Sequence, residues 1–197
     1  MTPERAARID QALNRRQPDL AILMEEIEDT HNIAAVMRSC DSVGVQDIYI
    51  LAKDLSRYHY FGRQSSASAF RWVTVHLFDD REACVAAIRQ RGLQLMATHL
   101  KSDAVSLYEL DLTRPVALVF GNERKGISQE LLQHCDGNFV IPQVGMICSL
   151  NLSVACAVSL YEVFRQRDAA GMYETGPGLD PGLKETLRAD WSRKLRD

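Results

Sequence analysis

Hydrophobic residues recur along this chain in two ways, as short apolar runs and as stripes that repeat every three to four residues. The runs predict six strands, at residues 19–24, 46–52, 72–77, 93–98, 115–120 and 138–141. The stripes predict helices at residues 5–16, 30–43, 79–91, 128–134 and 149–165. Strands that alternate with helices are typical of an α/β fold, with a mostly parallel sheet and helices on both faces.

The predicted helix at residues 30–43 carries one polar residue of interest, Arg38. The apolar stripe of this helix consists of Ile33, Val36, Met37 and Cys40. Arg38 lies about 150° around the helix from the centre of that stripe. A lone arginine on a polar face is usually only solvated, and Asn32 in the first turn can serve simply as a cap. The pattern by itself does not separate these roles from functional ones.

The two ends of the chain differ from its middle in composition. Residues 169–182 are rich in glycine and proline and predict a linker, after which Leu183, Leu187 and Trp191 recur every four residues and predict a final helix. We therefore divide the chain into an N-terminal basic helix (1–17), one α/β domain (18–168), and a linker with a C-terminal basic helix (169–197).

Charge is distributed unevenly along the sequence. The net charge is -3, yet residues 1–16 hold four arginines against two carboxylates, and residues 184–197 hold five cations against three. Each end therefore carries +2 and the middle carries -7. Basic ends on an acidic body indicate terminal elements that bind an anion, although a mildly basic helix can also be just solvated.

Two uncommon loops follow predicted strands. One is the segment 117–128 (ALVFGNERKGIS), and the other is the uncharged segment 141–155 (IPQVGMICSLNLSVA). Loops at the carboxyl ends of strands are where an open α/β sheet binds small molecules, and glycine lets the backbone approach a ligand closely. The first loop resembles half of a phosphate-binding P-loop, but Ile127 stands where the lysine is required, which argues against an NTPase.

Cysteine usage and hydropathy exclude several other classes of protein. The five cysteines show no paired spacing and mostly fall in apolar patterns, which predicts buried free thiols, without disulfides or a metal site, in a cytoplasmic protein. The uncharged run 137–161 is long enough to suggest a membrane span. It contains Pro142, Gly145 and several polar residues, so we interpret it as a buried strand and helix. No secretory signal is visible.

Three segments carry a resemblance to a known family, and they occur in the family's order. They are residues 30–38 (THNIAAVMR), 121–126 (GNERKG) and 141–155. They resemble the three signature motifs of the SpoU family of RNA ribose 2′-O-methyltransferases, in the SPOUT superfamily. Within it the chain is most similar to the SpoU/TrmH group, which methylates the guanosine at position 18 in the D-loop of tRNA. The likeness covers nearly all of residues 1–173.

The resemblance implies a SPOUT-type α/β fold whose C-terminal part forms a trefoil knot, a rare exception to unknotted topology. It also implies that S-adenosylmethionine binds in this knot, held mainly by backbone, and that the enzyme is a homodimer with its active sites at the interface. The expected partner is tRNA, and no metal or membrane is expected. By position, the residues that would line the cofactor site are Thr98, Gly121, Ile141, Met146 and Leu150.

The implied reaction is attack of a ribose 2′-hydroxyl on the sulfonium methyl group. A hydroxyl is a poor nucleophile at neutral pH, so a base must remove its proton as the new bond forms. In the family the arginine that matches Arg38 is proposed as this base, acting with a substrate phosphate. A second role stays open for Arg38, which is to orient the phosphate and stabilise developing charge. The other matching catalytic positions are Asn32, Glu123, Ser149 and Asn151.

Recognition of RNA is expected to rest on the terminal helices and on residues 57–71. The predicted RNA-binding residues are Arg8, Arg15, Arg16, Arg57, Arg63, Arg71, Lys184, Arg188, Arg193 and Lys194. Two alternatives to the D-loop guanosine stay open. The first is 2′-O-methylation of another nucleotide, in a tRNA anticodon loop or in rRNA. The second is a catalytically silent, knotted RNA-binding protein.

Overall fold

In the part of the chain that the structure describes, seven parallel strands form one sheet, in the order β3-β2-β1-β6-β4-β7-β5. The computed structural model describes residues 2–58, 68–100 and 104–194. The strands are β1 Gln17–Glu25, β2 Val45–Leu51, β3 Thr74–Phe78, β4 Gln94–Thr98, β5 Val105–Ser106, β6 Val116–Phe120 and β7 Gly137–Val140. The predicted α/β class with a mostly parallel sheet is confirmed.

Helices cover both faces of this sheet. They are α1 Pro3–Asn14, α2 Thr30–Ser42, α3 Arg81–Arg89, α4 Gln129–Leu132, α5 Leu152–Ala169, α6 Met172–Thr175 and α7 Pro181–Lys194. α2 and α5 pack together on one face, whereas α3 and α4 cover the other. Every residue of β2 and β6 is buried. The sequence of β6 is continuously apolar because a strand covered on both faces has no polar side, whereas β2 also buries Gln46 and Asp47.

The predicted stripe of α2 is confirmed, because Ile33, Val36, Met37 and Cys40 are all buried. One other expectation needs correction, and one strand was not predicted. The segment 169–182 is not only a linker, since it contains the short helix α6. This helix begins after Gly171, whose backbone is in the left-handed conformation. The short strand β5 was missed, because two residues are too few to show a period.

The terminal helices pack against each other to form a small separate core. Its buried members are Ile9, Leu13, Leu179, Leu187 and Trp191. The ring of Trp191 meets that of Trp72 edge to face, with 5.4 Å between centroids. Leu187 and Trp191 thus confirm the predicted apolar face of the last helix, but Leu183 is exposed.

The cysteines agree with the prediction only in part. All five are free, and Cys40, Cys84 and Cys156 are buried. Cys135 is half-buried and Cys148 is exposed, so the expectation of buried thiols is wrong for Cys148. The reason is that Cys148 belongs to the loop after β7 and not to the apolar helix that follows it.

None of the helices in the described ranges is both long enough and apolar enough to cross a bilayer. Across the same ranges, His, Cys, Asp and Glu side chains do not gather in groups of three or more that could hold a metal ion.

Arg167 fixes the end of α5 to the start of β1. Its side chain is fully buried and forms an ion pair with Asp19. It also donates hydrogen bonds to the carbonyl oxygens of Leu112, Arg114 and Asp19, at 3.0, 3.1 and 3.3 Å. A buried charge requires such complete pairing, because an unpaired one loses its hydration without compensation.

We therefore expect Arg167→Ala to lower the free energy of unfolding by about 3–5 kcal/mol, since it leaves the carboxylate of Asp19 and three carbonyl groups without their donor. Urea unfolding followed by circular dichroism measures this. The matched control is Arg193→Ala, which removes an arginine 78% exposed and 3.5 Å from Asp190, and which should change stability little. Equal effects of the two substitutions would contradict the prediction.

Candidate functional site

A cavity of about 620 Å³ opens at the carboxyl ends of three neighbouring strands, β6, β4 and β7. Parallel pairing places the loops after these strands side by side. The cavity wall includes residues from all three loops and from the start of α5, among them His99, Phe120, Gly126, Gln143, Cys148 and Ala155. Its position matches the place where open α/β sheets bind ligands.

The loop after β6 is closed by backbone contacts that require glycine at both ends. A Cβ atom at Gly121 would lie 2.2 Å from the backbone carbon of Gly126, which is impossible without movement of the loop. Gly126 has φ +69°, in the left-handed region that favours glycine. The backbones of Asn122 and Gly126 exchange two hydrogen bonds, of 3.0 and 2.8 Å.

Asn122 holds this loop from inside, a role that sequence reasoning missed. Its Oδ1 accepts hydrogen bonds from the backbone N–H groups of Arg124 and Lys125, at 2.9 and 3.0 Å. Its Nδ2 donates to the carbonyl oxygen of Glu26, at 2.7 Å. Because the side chain is buried and bonded at both ends, the turn is fixed to the end of β1. An asparagine in a tight turn, two residues after the end of a buried strand, was the available signal.

Three of the predicted catalytic side chains form one hydrogen-bonded chain. Asn151 Nδ2 donates to Asn32 Oδ1 at 3.1 Å, and Asn32 Nδ2 donates to Glu123 Oε1 at 2.9 Å. Glu123 Oε2 also accepts from the backbone N–H of Glu28, at 3.2 Å. The three residues come from the start of α2, the loop after β6 and the start of α5, so the chain joins all three elements.

The capping of the two helices leaves Asn32 available for this contact. The N-cap of α2 is Asp29, whose carboxylate accepts from the backbone N–H of His31 at 2.8 Å. Asn32 is therefore not the cap that its position in the first turn allowed. Asn151 is the N-cap of α5, and its Oδ1 accepts from the backbone N–H of Ser153 at 2.9 Å.

The hydrogen bonds keep Glu123 ionised. Burial acts to raise the pKa of this carboxyl, but the hydrogen bonds from Asn32 and the backbone outweigh it and hold the pKa below its ordinary value of 4.5. A carboxylate that accepts two or more bonds is a fixed negative group, which suits it to orient the amide of Asn32.

Arg38 lies on the exposed face of α2, six residues after Asn32 and about 9 Å further along the helix axis. It is not part of the hydrogen-bonded chain. Within the described ranges its guanidinium has neither an ion pair nor a hydrogen bond, so its donors are available to a ligand.

Four of the five predicted cofactor residues lie in the cavity wall, namely Thr98, Gly121, Ile141 and Leu150, together with the predicted catalytic Ser149. Thr98 Oγ1 donates to the carbonyl oxygen of Val119 at 3.1 Å, which links β4 to β6. Met146 is not in the wall. The residue is 98% exposed, in the loop after β7.

The predicted RNA-binding arginines of the terminal helices are largely used inside the chain. Arg188 pairs with Asp10, which joins α7 to α1, and Arg15 lies 3.5 Å from Glu174. Contacts of this kind also involve Lys184 with Asn14, Arg193 and Lys194 with Asp190, and Arg71 with the carbonyl oxygen of Lys194. Arg8 and Arg57 are exposed, and Arg63 lies outside the described residues.

Arg16 requires a correction, because the structure buries it. Its side chain is 1% exposed, pairs with Asp41 and donates to the carbonyl oxygens of Val45 and Trp72. The guanidinium also lies over the ring of Trp191, at 4.9 Å. Packing of α7 over the end of α1 covers Arg16, so this residue does not present its charge to RNA.

Comparison with known proteins agrees with this site. The sequence profile of the SpoU rRNA Methylase family matches residues 19–161. The tRNA (guanosine(18)-2'-O)-methyltransferase of Thermus thermophilus is 40% identical over 193 residues, which cover 98% of this chain and 98% of that protein.

Solved structures give the same result for the fold. The crystal structure of the Aquifex aeolicus TrmH/SpoU tRNA modifying enzyme is similar with a TM-score of 0.83 and 32% identity, over 98% of this chain and 96% of that one. The SpoU methyltransferase AviRb of Streptomyces viridochromogenes, in complex with the cofactor AdoMet, is similar with a TM-score of 0.69 and 26% identity, over 78% and 62%. This chain belongs to the SpoU methylase family, as its motifs predicted.

The hydrogen bonds of Glu123 predict a pH dependence of stability. Because its pKa is depressed in the folded state, its contribution is complete above the unfolded value near 4.5 and is lost as the pH falls through the folded pKa. We expect Glu123→Gln to be less stable than the unsubstituted protein at about pH 7, and the difference to narrow at about pH 3.5. Urea unfolding at the two pH values measures it.

The control for this experiment is Glu130→Gln, which changes an exposed carboxylate of α4 and should give no such difference. A stability gap between Glu123→Gln and the unsubstituted protein that stayed constant with pH would argue against the hydrogen-bonded carboxylate.

Proposed function

We propose that this chain is an S-adenosylmethionine-dependent tRNA methyltransferase that modifies the ribose 2′-hydroxyl of the guanosine at position 18. The observation that carries the proposal is the 40% identity with an enzyme of that name over 98% of both chains. Two of the three motifs, 121–126 and 141–155, line one cavity here, and the third, 30–38, is joined to them by the hydrogen bonds of Asn32. The fold alone would not suffice, since one fold serves many functions.

The cavity suits the methyl donor in size and in lining. At about 620 Å³ it falls in the range of small-molecule sites. The Gly121 backbone lies so close to that of Gly126 that a Cβ atom at Gly121 would displace the loop that forms part of the cavity wall. Thr98, Ile141 and Leu150 would border the donor, and S-adenosylmethionine supplies an electrophilic methyl group when it is bound there.

Arg38 is the residue that we assign to the substrate hydroxyl and its phosphate. Its exposed guanidinium, without a partner in the described ranges, can hold a phosphate by two parallel hydrogen bonds. In that position it would either accept the proton of the 2′-hydroxyl with help from the phosphate, or stabilise the charge that develops on the oxygen.

The hydrogen-bonded chain of Asn151, Asn32 and Glu123 would position α2, and with it Arg38, against the cavity. A base must lie within hydrogen-bond distance of the group that it deprotonates. A rigid link between α2 and the cofactor loops would hold Arg38 in that position. Ser149 stands exposed in the cavity wall between these loops, where its hydroxyl can contact the ribose.

A homodimer would complete the site. Exposed apolar side chains lie on α5 and on the loop after β7, namely Val144, Met146, Ile147, Val154 and Tyr161. Val154 and Tyr161 are seven residues apart and therefore share one face of α5. A second copy that covers this face would bury them and would bring its own residues close to the cavity.

Several finer features belong to the same proposal. The C-terminal trefoil knot is consistent with β4 lying between β6 and β7.

The terminal helices would bind RNA beside the α/β domain, through exposed arginines such as Arg8. Arg57, in the segment after β2, is also exposed and would contribute to RNA binding. The enzyme would work in the cytoplasm, without a metal cofactor.

The direct test is incubation of unmodified tRNA with the protein and labelled S-adenosylmethionine, followed by mass spectrometry of nuclease fragments. We expect one methyl group on the ribose of guanosine 18. A methyl group in the anticodon loop would favour the first alternative, and modification of rRNA alone would move the substrate to the ribosome. RNA binding without any methyl transfer would indicate the silent RNA-binding protein.

We also expect Arg38→Ala to abolish methyl transfer while S-adenosylmethionine affinity stays within a few-fold, because Arg38 lies outside the cavity wall. Arg38→Lys should be poor as well, since lysine lacks the planar fork that holds phosphate at two points. Single-turnover kinetics and calorimetry measure the two effects. The control Arg114→Ala removes an exposed arginine at the other end of β6 and should be fully active. Near-normal turnover of Arg38→Ala would show that the assignment is wrong.

A further inference from the structure

The rim of the cavity carries two cations that the roles assigned above do not use, Arg124 and Lys125. Of the described residues in the cavity wall, those with a formal charge are Glu123, Arg124 and Lys125. The loop after β7, which forms the opposite wall, contains no charged residue between 141 and 151. Among the described residues of the wall, positive charge therefore comes from one short turn.

That turn is rigid, so the two cations are presented in a fixed place. The backbone N–H groups of Arg124 and Lys125 are both held by Asn122 Oδ1, and the turn is closed by the two bonds between Asn122 and Gly126. A ligand that binds these side chains does not have to order the backbone first, which removes one entropic cost of binding.

Neither side chain is strongly engaged within the chain. The guanidinium of Arg124 is 84% exposed and stands 3.9 Å from Glu28, at the limit of an ion pair. Lys125 is exposed and makes no ion pair with any residue of the described ranges. The neighbouring carboxylate of Glu123 accepts its hydrogen bonds from Asn32 and Glu28 and is not paired with either cation.

We propose that Arg124 and Lys125 bind phosphate groups of the tRNA backbone that flank the target ribose. This inference rests on the proposed function, and it adds a substrate-binding site to it. The exposure of Arg124 directs its charge to the outside of the cavity, where RNA would lie, and not to a small molecule enclosed within. Because the protein has a net charge of -3, attraction to phosphate must come from such local clusters.

The test measures the affinity for unmodified tRNA against salt concentration, by fluorescence anisotropy, for Arg124→Gln, Lys125→Gln and the double variant. Each phosphate contact that is lost should lower the slope of log affinity against log salt by about 0.7–0.9. We expect the double variant to lose up to twice that value and to show a raised KM for tRNA. Calorimetry should give an S-adenosylmethionine affinity within two-fold of the unsubstituted protein.

Two further variants separate charge from structure. Arg124→Lys keeps the charge and should keep most of the slope. Arg114→Gln removes an arginine of similar exposure, 70%, at the opposite end of β6, and should leave the slope unchanged. The proposal is overturned if the double variant keeps the original slope. It is also overturned if the S-adenosylmethionine affinity of that variant falls beyond two-fold, because the cations would then serve the carboxylate of the donor.

Failure of the proposed function gives a different result. If the unsubstituted protein left guanosine 18 unmodified, the methylation assay would report it, whereas the salt slope would still show whether these two cations contact RNA. The two conclusions can therefore fail separately.

Discussion

The position of β4 between β6 and β7 is the constraint on which the rest of this structure depends. All three strands run parallel, so their carboxyl ends meet at one edge, and the loops that follow them must share the space beyond it. The cavity is that shared space, and its wall consists of residues from the ends of these strands, from the loops that follow them and from the start of α5. A cofactor site thus follows from the strand order before any particular side chain is considered.

Within that space, polar groups are placed by hydrogen bonds and not by apolar packing. Asn122 ties the loop after β6 to β1, and Asn32 connects Glu123 to Asn151. Each amide both donates and accepts, so each has one orientation that satisfies its partners. The site is consequently rigid on its cofactor side. Arg38, which would meet the substrate, lies outside this network on the exposed face of α2.

The cations of this acidic chain fall into two groups, those that stabilise the fold and those that are free to contact RNA. Arg16 and Arg167 are buried and link helices to the sheet. Arg188 joins the two terminal helices through Asp10. Exposed cations without strong partners then stand where a polyanion can reach them, near the cavity rim and on α1. Binding of RNA would rest on a few placed charges, since the net charge opposes it.

The sequence alone determined the α/β class, the family and the two loops of the cavity, because apolar periods and glycine-bounded turns are local properties. The three motifs even contained the hydrogen-bonded triad of Asn32, Glu123 and Asn151. Only tertiary structure decided that Arg16 is buried, that Met146 faces solvent and that Asn122 anchors its loop. A charged residue near a helix end looks the same in sequence whether it faces water or another helix. Whether such a residue is buried depends on what packs over it. Arg16 is covered by Trp191 of α7, which is 175 residues away along the chain.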